Sequence, residues 1–327
     1  MTRVLLTTFF LFSQTAALAD NFGLAPQSQE TLIAQQQLMS APAPDANDDG
    51  GDRFLYRPLV ELLSEDQNLS SRWLRERDGK LCLRAYNQGN VGSCVGNATA
   101  LCVSIIAAWQ IVEQGKNEEL VAMAAADGLY GLSREAGGML SMRGDGSTGY
   151  AAARAIRDLG TLWQLEYEGG DLRDYSAARC RKYGSAGVPS ALKKDAAEHL
   201  VITTYAVTTF DDAWATIGRG NAINVCSTVG FDTCRDATGT CQPRGNWGHS
   251  MAVIGRRTLS GKRQLLVQNS WGDDWNAGPY VDDQPWGSFW IDAAAAEKML
   301  SQQDSYAYEM LDGFQADDDG DLNWIKF

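Results

Sequence analysis

Apolar residues recur every three or four positions over the first half of the globular region, which is the spacing of one face of an α-helix. The strongest case is 95–114, where Ile105, Trp109 and Val112 share a face and Gly115 can end the helix. The same spacing, with residues that favour helix ends, predicts two shorter helices. They run from a Ser147 or Thr148 cap through Ala152, Ile156 and Leu159 to Gly160, and from an Asp211 cap through Trp214 and Ile217 to Gly218.

In the second half of the chain the apolar residues form short continuous runs separated by Gly, Asn and Asp, which is typical of β-strands. These runs are Ile223–Cys226, Met251–Ile254, Leu265–Val267 and Ser288–Ile291. Helices followed by strands predict an α+β fold, with a helical lobe at about 80–200 and a sheet lobe at about 201–300. A cleft between two such lobes is a common ligand site.

The N terminus has the pattern of an export signal. Arg3 supplies a positive charge, 4–12 is mostly apolar, and 17–19 places small residues before Asp20. This pattern predicts a signal peptide at 1–19 and a secreted or periplasmic protein. The alternative is an uncleaved segment that packs on the body, in an intracellular protein or part of a larger assembly. No apolar run reaches the roughly 18 residues of a membrane helix, so no membrane span is predicted.

Two segments lack the apolar periodicity of a core. Residues 24–53 are poor in aromatics and rich in Gln, Ala, Pro, Asp and Gly, which predicts a linker or short pro-segment at 20–54. The globular domain is then expected at 55–300. Acidic residues at the other end predict an acidic C-terminal tail at 301–327.

Charge and composition narrow the chemistry. The 327 residues include 41 Asp and Glu against 28 Lys and Arg, a net charge of −13. A nucleic-acid-binding face needs clustered cations, so this balance argues against nucleic acid as a partner. The two histidines, His199 and His249, are the only candidates for imidazole chemistry. No Cys-x-x-Cys or His-rich spacing predicts a metal site.

Several residues suited to nucleophilic catalysis stand in fitting local contexts. A glycine-containing stretch that starts at Gln88 places Cys94 at the first turn of the long helix. The partial positive charge and free N–H groups there favour a thiolate and can bind an oxyanion. His249 precedes one apolar strand and Asn269 follows another, so the Asn269 carbonyl can accept a hydrogen bond that fixes the imidazole tautomer. Trp271 can cover that bond.

Together these segments resemble the active-site segments of papain-like cysteine peptidases. Gln-Gly-x-x-Gly-Ser-Cys at 88–94, Gly-His-x-x-Ala-Val-x-Gly at 248–255 and Asn-Ser-Trp-Gly at 269–272 match them in chain order. The resemblance implies a two-lobed α+β fold, with a helical lobe built on a long central helix, an antiparallel barrel-like sheet lobe, and an active-site cleft between them. It also implies hydrolysis of peptide bonds in protein or peptide substrates, with no metal or organic cofactor.

The resemblance also implies roles for the individual residues. Cys94 and His249 would form a thiolate–imidazolium pair that yields a thioester acyl-enzyme. Asn269 would hold His249, while Gln88 and the Cys94 backbone N–H would stabilise the oxyanion. Contacts with the substrate are implied for Ser93, Gly144, Gly146 and Trp271. Two alternatives remain at this point: a non-catalytic binding or assembly component, and acyl transfer to a nucleophile other than water.

The chain departs from the family pattern at three places and, over 20–80, also lacks the long helical pattern of the family's common inhibitory pro-segment. Val91 replaces a cysteine three residues before the nucleophile, Val95 replaces the usual tryptophan after it, and 276–286 is an insertion. Six further cysteines could form three disulfides in an exported protein, with Cys234–Cys241 as the favoured pair, or remain free thiols in a reducing compartment. The six are Cys82, Cys102, Cys180, Cys226, Cys234 and Cys241.

Overall fold

The computed structural model of this chain describes residues 20–39, 66–69, 85–113, 122–281 and 284–311. The predicted signal peptide at 1–19, residues 40–54 of the predicted linker, Cys82 and the acidic residues at 317–321 lie outside the described residues.

Helices dominate the first part of the chain and strands the second, so the α+β prediction is confirmed. The helices of the described residues are α1 (Gln29–Met39), α2 (Cys94–Glu113), α3 (Ala126–Ala136), α4 (Gly149–Asp158), α5 (Ala177–Ala186), α6 (Ser190–Ala196), α7 (Phe210–Gly218) and α8 (Ala293–Leu300). The strands are β1 (Asp20–Asn21), β2 (Gln67–Asn68), β3 (Glu166–Tyr167), β4 (Gly170–Asp171), β5 (Val201–Ala206), β6 (Ile223–Phe231), β7 (Pro243–Leu259), β8 (Lys262–Gln268), β9 (Ser288–Asp292) and β10 (Tyr306–Leu311).

Helix α2 confirms the long helix predicted at 95–114 and forms the centre of the molecule. It packs against α3 on one side and against β7 and β10 on the other. Residues such as Val103 and Ile105 are therefore completely buried, and each stabilises the fold by about 1.5–3 kcal/mol. None of the helices in the described part of the chain combines the length and apolarity that crossing a bilayer requires.

The main sheet has the strand order β5-β10-β6-β7-β8-β9, and its neighbouring strands are antiparallel. Two short strands join β7 outside this order, β1 in parallel and β2 in antiparallel pairing. The predicted tail boundary at residue 300 is wrong, because β10 lies between β5 and β6 inside the sheet. Tyr306, Ala307 and Tyr308 are fully buried there, and the acidic run at 317–321 follows this strand in the sequence.

Helix caps follow the sequence in part. Thr148 caps α4 by accepting a hydrogen bond from the Ala151 N–H, as one of the two predicted caps. For α7 the cap is Thr209, which accepts from the Asp212 N–H, so the predicted Asp211 cap is wrong by two residues. A hydroxyl satisfies the same free N–H groups as a carboxylate, and the sequence signal does not separate them.

The predicted disulfide between Cys234 and Cys241 is not present. All six cysteines of the described residues are free thiols, and Cys234 is exposed while Cys241 is buried. The two cysteines flank a loop. The Cys241 sulfur is buried beside Asn276, whose Nδ2 lies 3.9 Å from it.

Asp304 is buried, and its carboxyl group accepts hydrogen bonds from the backbone N–H groups at the start of α4. Its oxygens accept from Gly149 and Tyr150, both at 2.9 Å. Burial raises the pKa of Asp304 to about 7, although these hydrogen bonds oppose the increase. The folded chain therefore holds this proton more tightly than the unfolded chain. The resulting stability is complete below about pH 4 and is lost as the pH rises through about 7.

We expect Asp304→Asn to remove this pH dependence, because an amide keeps an acceptor but does not titrate. Relative to the variant, the wild-type free energy of unfolding should fall by at most about 4 kcal/mol between acid and neutral pH. Urea unfolding of both proteins at several pH values across this range measures the difference. Parallel stability curves for the two proteins would contradict the assignment.

Candidate active site

Cys94 is the first residue of α2 and is completely buried. Its sulfur faces the backbone N–H groups of Ser250, Val95 and Cys94 itself. Ser250 directly follows His249 on β7. The fold therefore brings the start of α2 against Ser250, the residue of β7 that follows His249.

His249 and Asn269 are joined by a short hydrogen bond, 2.7 Å between Nε2 and Oδ1. The Ser270 backbone N–H donates to the same Asn269 oxygen at 2.7 Å, which supports its assignment as the carbonyl. The bond places the imidazole proton on Nε2 and leaves a lone pair on Nδ1. Nδ1 is buried and has no hydrogen-bond partner among the described residues. The Trp271 ring packs against the imidazole ring, with centroids 4.7 Å apart.

Gln88 is held by Ser270, a residue that the sequence reasoning did not single out. The Ser270 hydroxyl donates to Gln88 Oε1 at 2.8 Å, which turns the Gln88 Nε2 toward the cleft. That amide donates to the backbone carbonyls of Phe22 at 2.9 Å and Val91 at 3.0 Å. The position of this serine in the Asn-Ser-Trp-Gly stretch at 269–272 is the sequence signal that could have identified it.

The N-terminal segment 20–25 runs through the cleft in extended form. Its Phe22 and Leu24 N–H groups donate to the Gly248 carbonyl at 2.8 and 3.3 Å, on the sheet side. On the helical side, Ala25 N–H donates to the Ser147 carbonyl at 2.7 Å, and Ser147 N–H donates to the Gly23 carbonyl at 2.9 Å. A peptide of the chain itself thus fills the space between the two layers.

Aromatic packing fixes this segment next to His249. The Phe22 ring centroid lies 4.8 Å from that of Trp271 and 5.7 Å from the imidazole. Leu24 packs against the cluster formed by Cys94, Val95, Ala152 and Cys226. Phe22 therefore covers His249, and Leu24 covers Cys94. Cys94 and His249 are here called the dyad.

Gly23 permits the close approach of the segment to the loop before α2. A Cβ at this position would lie 2.2 Å from the Gly92 carbonyl oxygen, and the φ angle of Gly23 is +121°. Both conditions exclude a larger residue. Gly146 makes a matching approach from the opposite wall, where a Cβ would lie 3.2 Å from the Gly23 carbonyl oxygen.

The covered dyad is uncharged. Burial raises the pKa of the Cys94 thiol to about 12, against the opposing effect of the N–H groups that face the sulfur. Burial also lowers the pKa of His249 to about 4, against the opposing hydrogen bond to Asn269. The prediction that the start of α2 lowers the thiol pKa is wrong for this covered state, because dehydration outweighs the field of the helix.

The residues predicted to contact substrate divide into two groups. Gly146 and Trp271 lie against the segment in the cleft. Gly144 is exposed, and a Cβ there would meet nothing within 4 Å. Ser93 is completely buried, and its hydroxyl is engaged by Tyr175 and Asn97. A substrate contact through the Ser93 side chain is therefore a wrong prediction.

No protein-family model matches this chain, and no curated protein matches its sequence. Among solved structures, xylellain, a cysteine protease from Xylella fastidiosa, is similar with a TM-score of 0.51 and 15% identity, over 77% of this chain and 88% of xylellain. The proCathepsin B S9 from Trypanosoma congolense is similar with a TM-score of 0.50 and 15% identity, over 88% of this chain and 87% of that chain. At such identities the likeness concerns the fold. This chain therefore has the papain-like fold that its motifs predicted.

Proposed function

We propose that this protein is a cysteine peptidase that hydrolyses peptide bonds through a thioester on Cys94. The observation that carries the proposal is the segment in the cleft, because its Phe22 carbonyl accepts a hydrogen bond from Gln88 Nε2 at 2.9 Å. This contact with a peptide carbonyl supports the proposal that the Gln88 amide would donate to the oxyanion of a substrate. The Asn269-bound imidazole next to the start of α2 supplies a base whose second nitrogen is free.

The proposed reaction begins when His249 takes the Cys94 proton and the sulfur attacks the substrate carbonyl carbon. The oxyanion accepts hydrogen bonds from Gln88 Nε2 and the Cys94 backbone N–H, and the loss of one such donor typically costs about 2.7–4 kcal/mol. The carbon–nitrogen bond then breaks as His249 gives its proton to the leaving amine. Water, deprotonated by His249, attacks the thioester, and the thiol is restored.

We also propose that segment 20–25 acts as the short pro-segment expected from the sequence. Its backbone fills the cleft, and its cover keeps Cys94 a thiol and His249 neutral. Departure of the segment would admit water and relieve the dehydration that now disfavours the ion pair. Substrate and segment would compete for the same backbone partners on Gly248 and Ser147.

The experiment that tests this function is product analysis with the Gly23→Ala variant, here called the opened chain, in which the clash of the added Cβ with Gly92 is expected to expel segment 20–25 from the cleft. Incubation with unstructured peptides should give fragments with new amino termini, and prior alkylation of thiols should stop the reaction. Products that carry an added amine in place of water would favour acyl transfer instead. No turnover, with slow and uniform alkylation of all cysteines, would favour a binding module.

Ser270→Ala should weaken turnover by releasing Gln88. Without the hydroxyl, Gln88 Oε1 loses its donor and the amide can rotate away from the cleft. We expect kcat/KM in the opened chain to fall about tenfold, since a buried hydrogen bond of this kind is worth roughly 1–1.5 kcal/mol. Peptide hydrolysis measured beside Ser301→Ala, an exposed serine of the α8 end, provides the control. Equal loss in both variants would argue against the role of Ser270.

A further inference from the structure

The wall of the cleft that pairs with the N-terminal segment has no regular secondary structure. It comprises residues 139–147, here called the glycine wall, and Ser147 at its end supplies both the N–H and the carbonyl that pair with residues 23–25. Gly144 and Gly146 have φ angles of +82° and +124°. Backbone of this kind cannot satisfy its polar groups within a helix or sheet, so it needs partners from elsewhere.

Arg134 of α3 supplies those partners. Its side chain is only 1% exposed, and Nη1 donates to the carbonyls of Gly146 at 2.7 Å and Gly144 at 3.1 Å. Nη2 donates to the carbonyls of Met139 at 2.7 Å and Met142 at 3.0 Å. Four carbonyls of the glycine wall therefore converge on one guanidinium.

The remaining contacts complete a buried site for the cation. Arg134 Nε donates to the Gly184 carbonyl of α5 at 2.6 Å, and Tyr130 OH accepts the Gly146 N–H at 2.8 Å. No carboxylate of the described residues lies within ion-pair distance of this guanidinium; the nearby Asp145 instead pairs with Arg181 and accepts from the Gly92 N–H. A buried charge is costly unless its hydrogen bonds are satisfied. The charge of Arg134 is therefore stabilised only when the N–H donors of its planar guanidinium all find these carbonyl acceptors.

We infer that Arg134 is a positioning residue that fixes the glycine wall so that Ser147 can pair with an extended peptide in the cleft. The kinetic part of this inference rests on the proposed peptidase function, whereas the pairing with segment 20–25 does not. Arg134 touches neither Cys94 nor His249 in any contact of the described residues. It therefore acts on binding of the peptide backbone and not on the reacting groups.

Arg134→Lys in the full-length chain tests the inference, because lysine keeps the charge but offers donors from one point instead of a planar fork. Amide hydrogen exchange should become at least about tenfold faster at Ala25 and Ser147. Exchange at Val267 in β8 should not change. Arg173→Lys, which is exposed and paired with Asp171, is the matched control and should leave all these amides unchanged.

The kinetic readout uses the same substitution in the chain opened by Gly23→Ala. For an extended peptide substrate we expect KM to rise about tenfold while kcat stays within about threefold. The lost interaction binds the substrate equally in the ground state and the transition state, and the reacting groups are untouched. A small ester that does not reach Ser147 should show no change. If the Gly23→Ala chain without the Arg134 substitution has no turnover, the proposed function fails. Amide exchange at Ala25 and Ser147 in the full-length chain then still decides the role of Arg134.

Unchanged exchange at Ala25 and Ser147 would overturn the inference, and so would an equal increase at Val267, which would indicate a general loss of stability. Tyr130→Phe provides a second variant if Arg134→Lys does not fold. It removes the hydroxyl that receives the Gly146 N–H without removing a charge. We expect the same pattern of faster exchange at reduced size, and its absence would equally overturn the inference.

Discussion

Cys94→Ala should abolish peptide hydrolysis, with kcat/KM lowered by about 10⁴-fold or more. The substitution removes the atom that forms the covalent bond, so no other group of the site can replace it. The fold should survive, because alanine is smaller than cysteine and keeps an apolar side chain in the buried cluster with Val95, Ala152 and Cys226. Hydrolysis is measured in the chain opened by Gly23→Ala, beside a thermal unfolding curve.

Cys226→Ala is the matched control for this prediction. Cys226 is a buried thiol of the same cluster as Cys94, but its sulfur lies beside Ser250 Oγ and Asn224 Oδ1. Its removal should leave kcat/KM within about threefold of the parent, since it takes no part in bond formation. Residual hydrolysis by Cys94→Ala at the level of the parent would end the proposal of a thiol mechanism.

Gly23→Ala should activate the full-length protein by about 10- to 100-fold, because it expels segment 20–25 from the cleft. The added Cβ would collide with the Gly92 backbone, which belongs to the loop that positions Cys94 and cannot move freely. Alanine also disfavours the positive φ angle at this position. The covered state loses stability, whereas the open state with its solvated segment is unaffected.

The activation is measured as the initial rate of peptide hydrolysis and as the rate of Cys94 alkylation near neutral pH. Gly261→Ala makes the same change at another positive φ angle, +76°, in the turn between β7 and β8, where the Cβ would meet nothing within 4 Å. That control should show the wild-type rates. Equal rates for Gly23→Ala and wild type would mean that the segment does not restrict the cleft.

The residues that meet at the site were predictable because each carries a local signal. Cys94 follows a glycine-containing stretch into an apolar helix, and His249 and Asn269 flank apolar strands. Such signals are local in sequence, and the fold only has to bring three short segments together. The hydrogen bond between His249 and Asn269 follows from the pairing of β7 with β8, which places both residues at one end of the sheet.

Other features depend on contacts between distant segments and gave no such signal. Residues 20–25 have no apolar periodicity, and their extended form arises from pairing with Gly248 and Ser147. Strand β10 was missed because acidic residues follow it closely in the sequence. The uncharged states of Cys94 and His249 were missed as well, because the burial that shifts both pKa values arises from contacts between segments distant in sequence.

The most direct test of the account is the identity of the residue that carries the acyl group during turnover. The chain opened by Gly23→Ala is mixed with an activated peptide ester, quenched in acid and digested, and the fragments are weighed by mass spectrometry. The account predicts the acyl mass on the fragment that contains Cys94, released by neutral hydroxylamine as expected of a thioester. Turnover that proceeds with Cys94 unmodified at every time point, or an acyl group found on another residue, would contradict it.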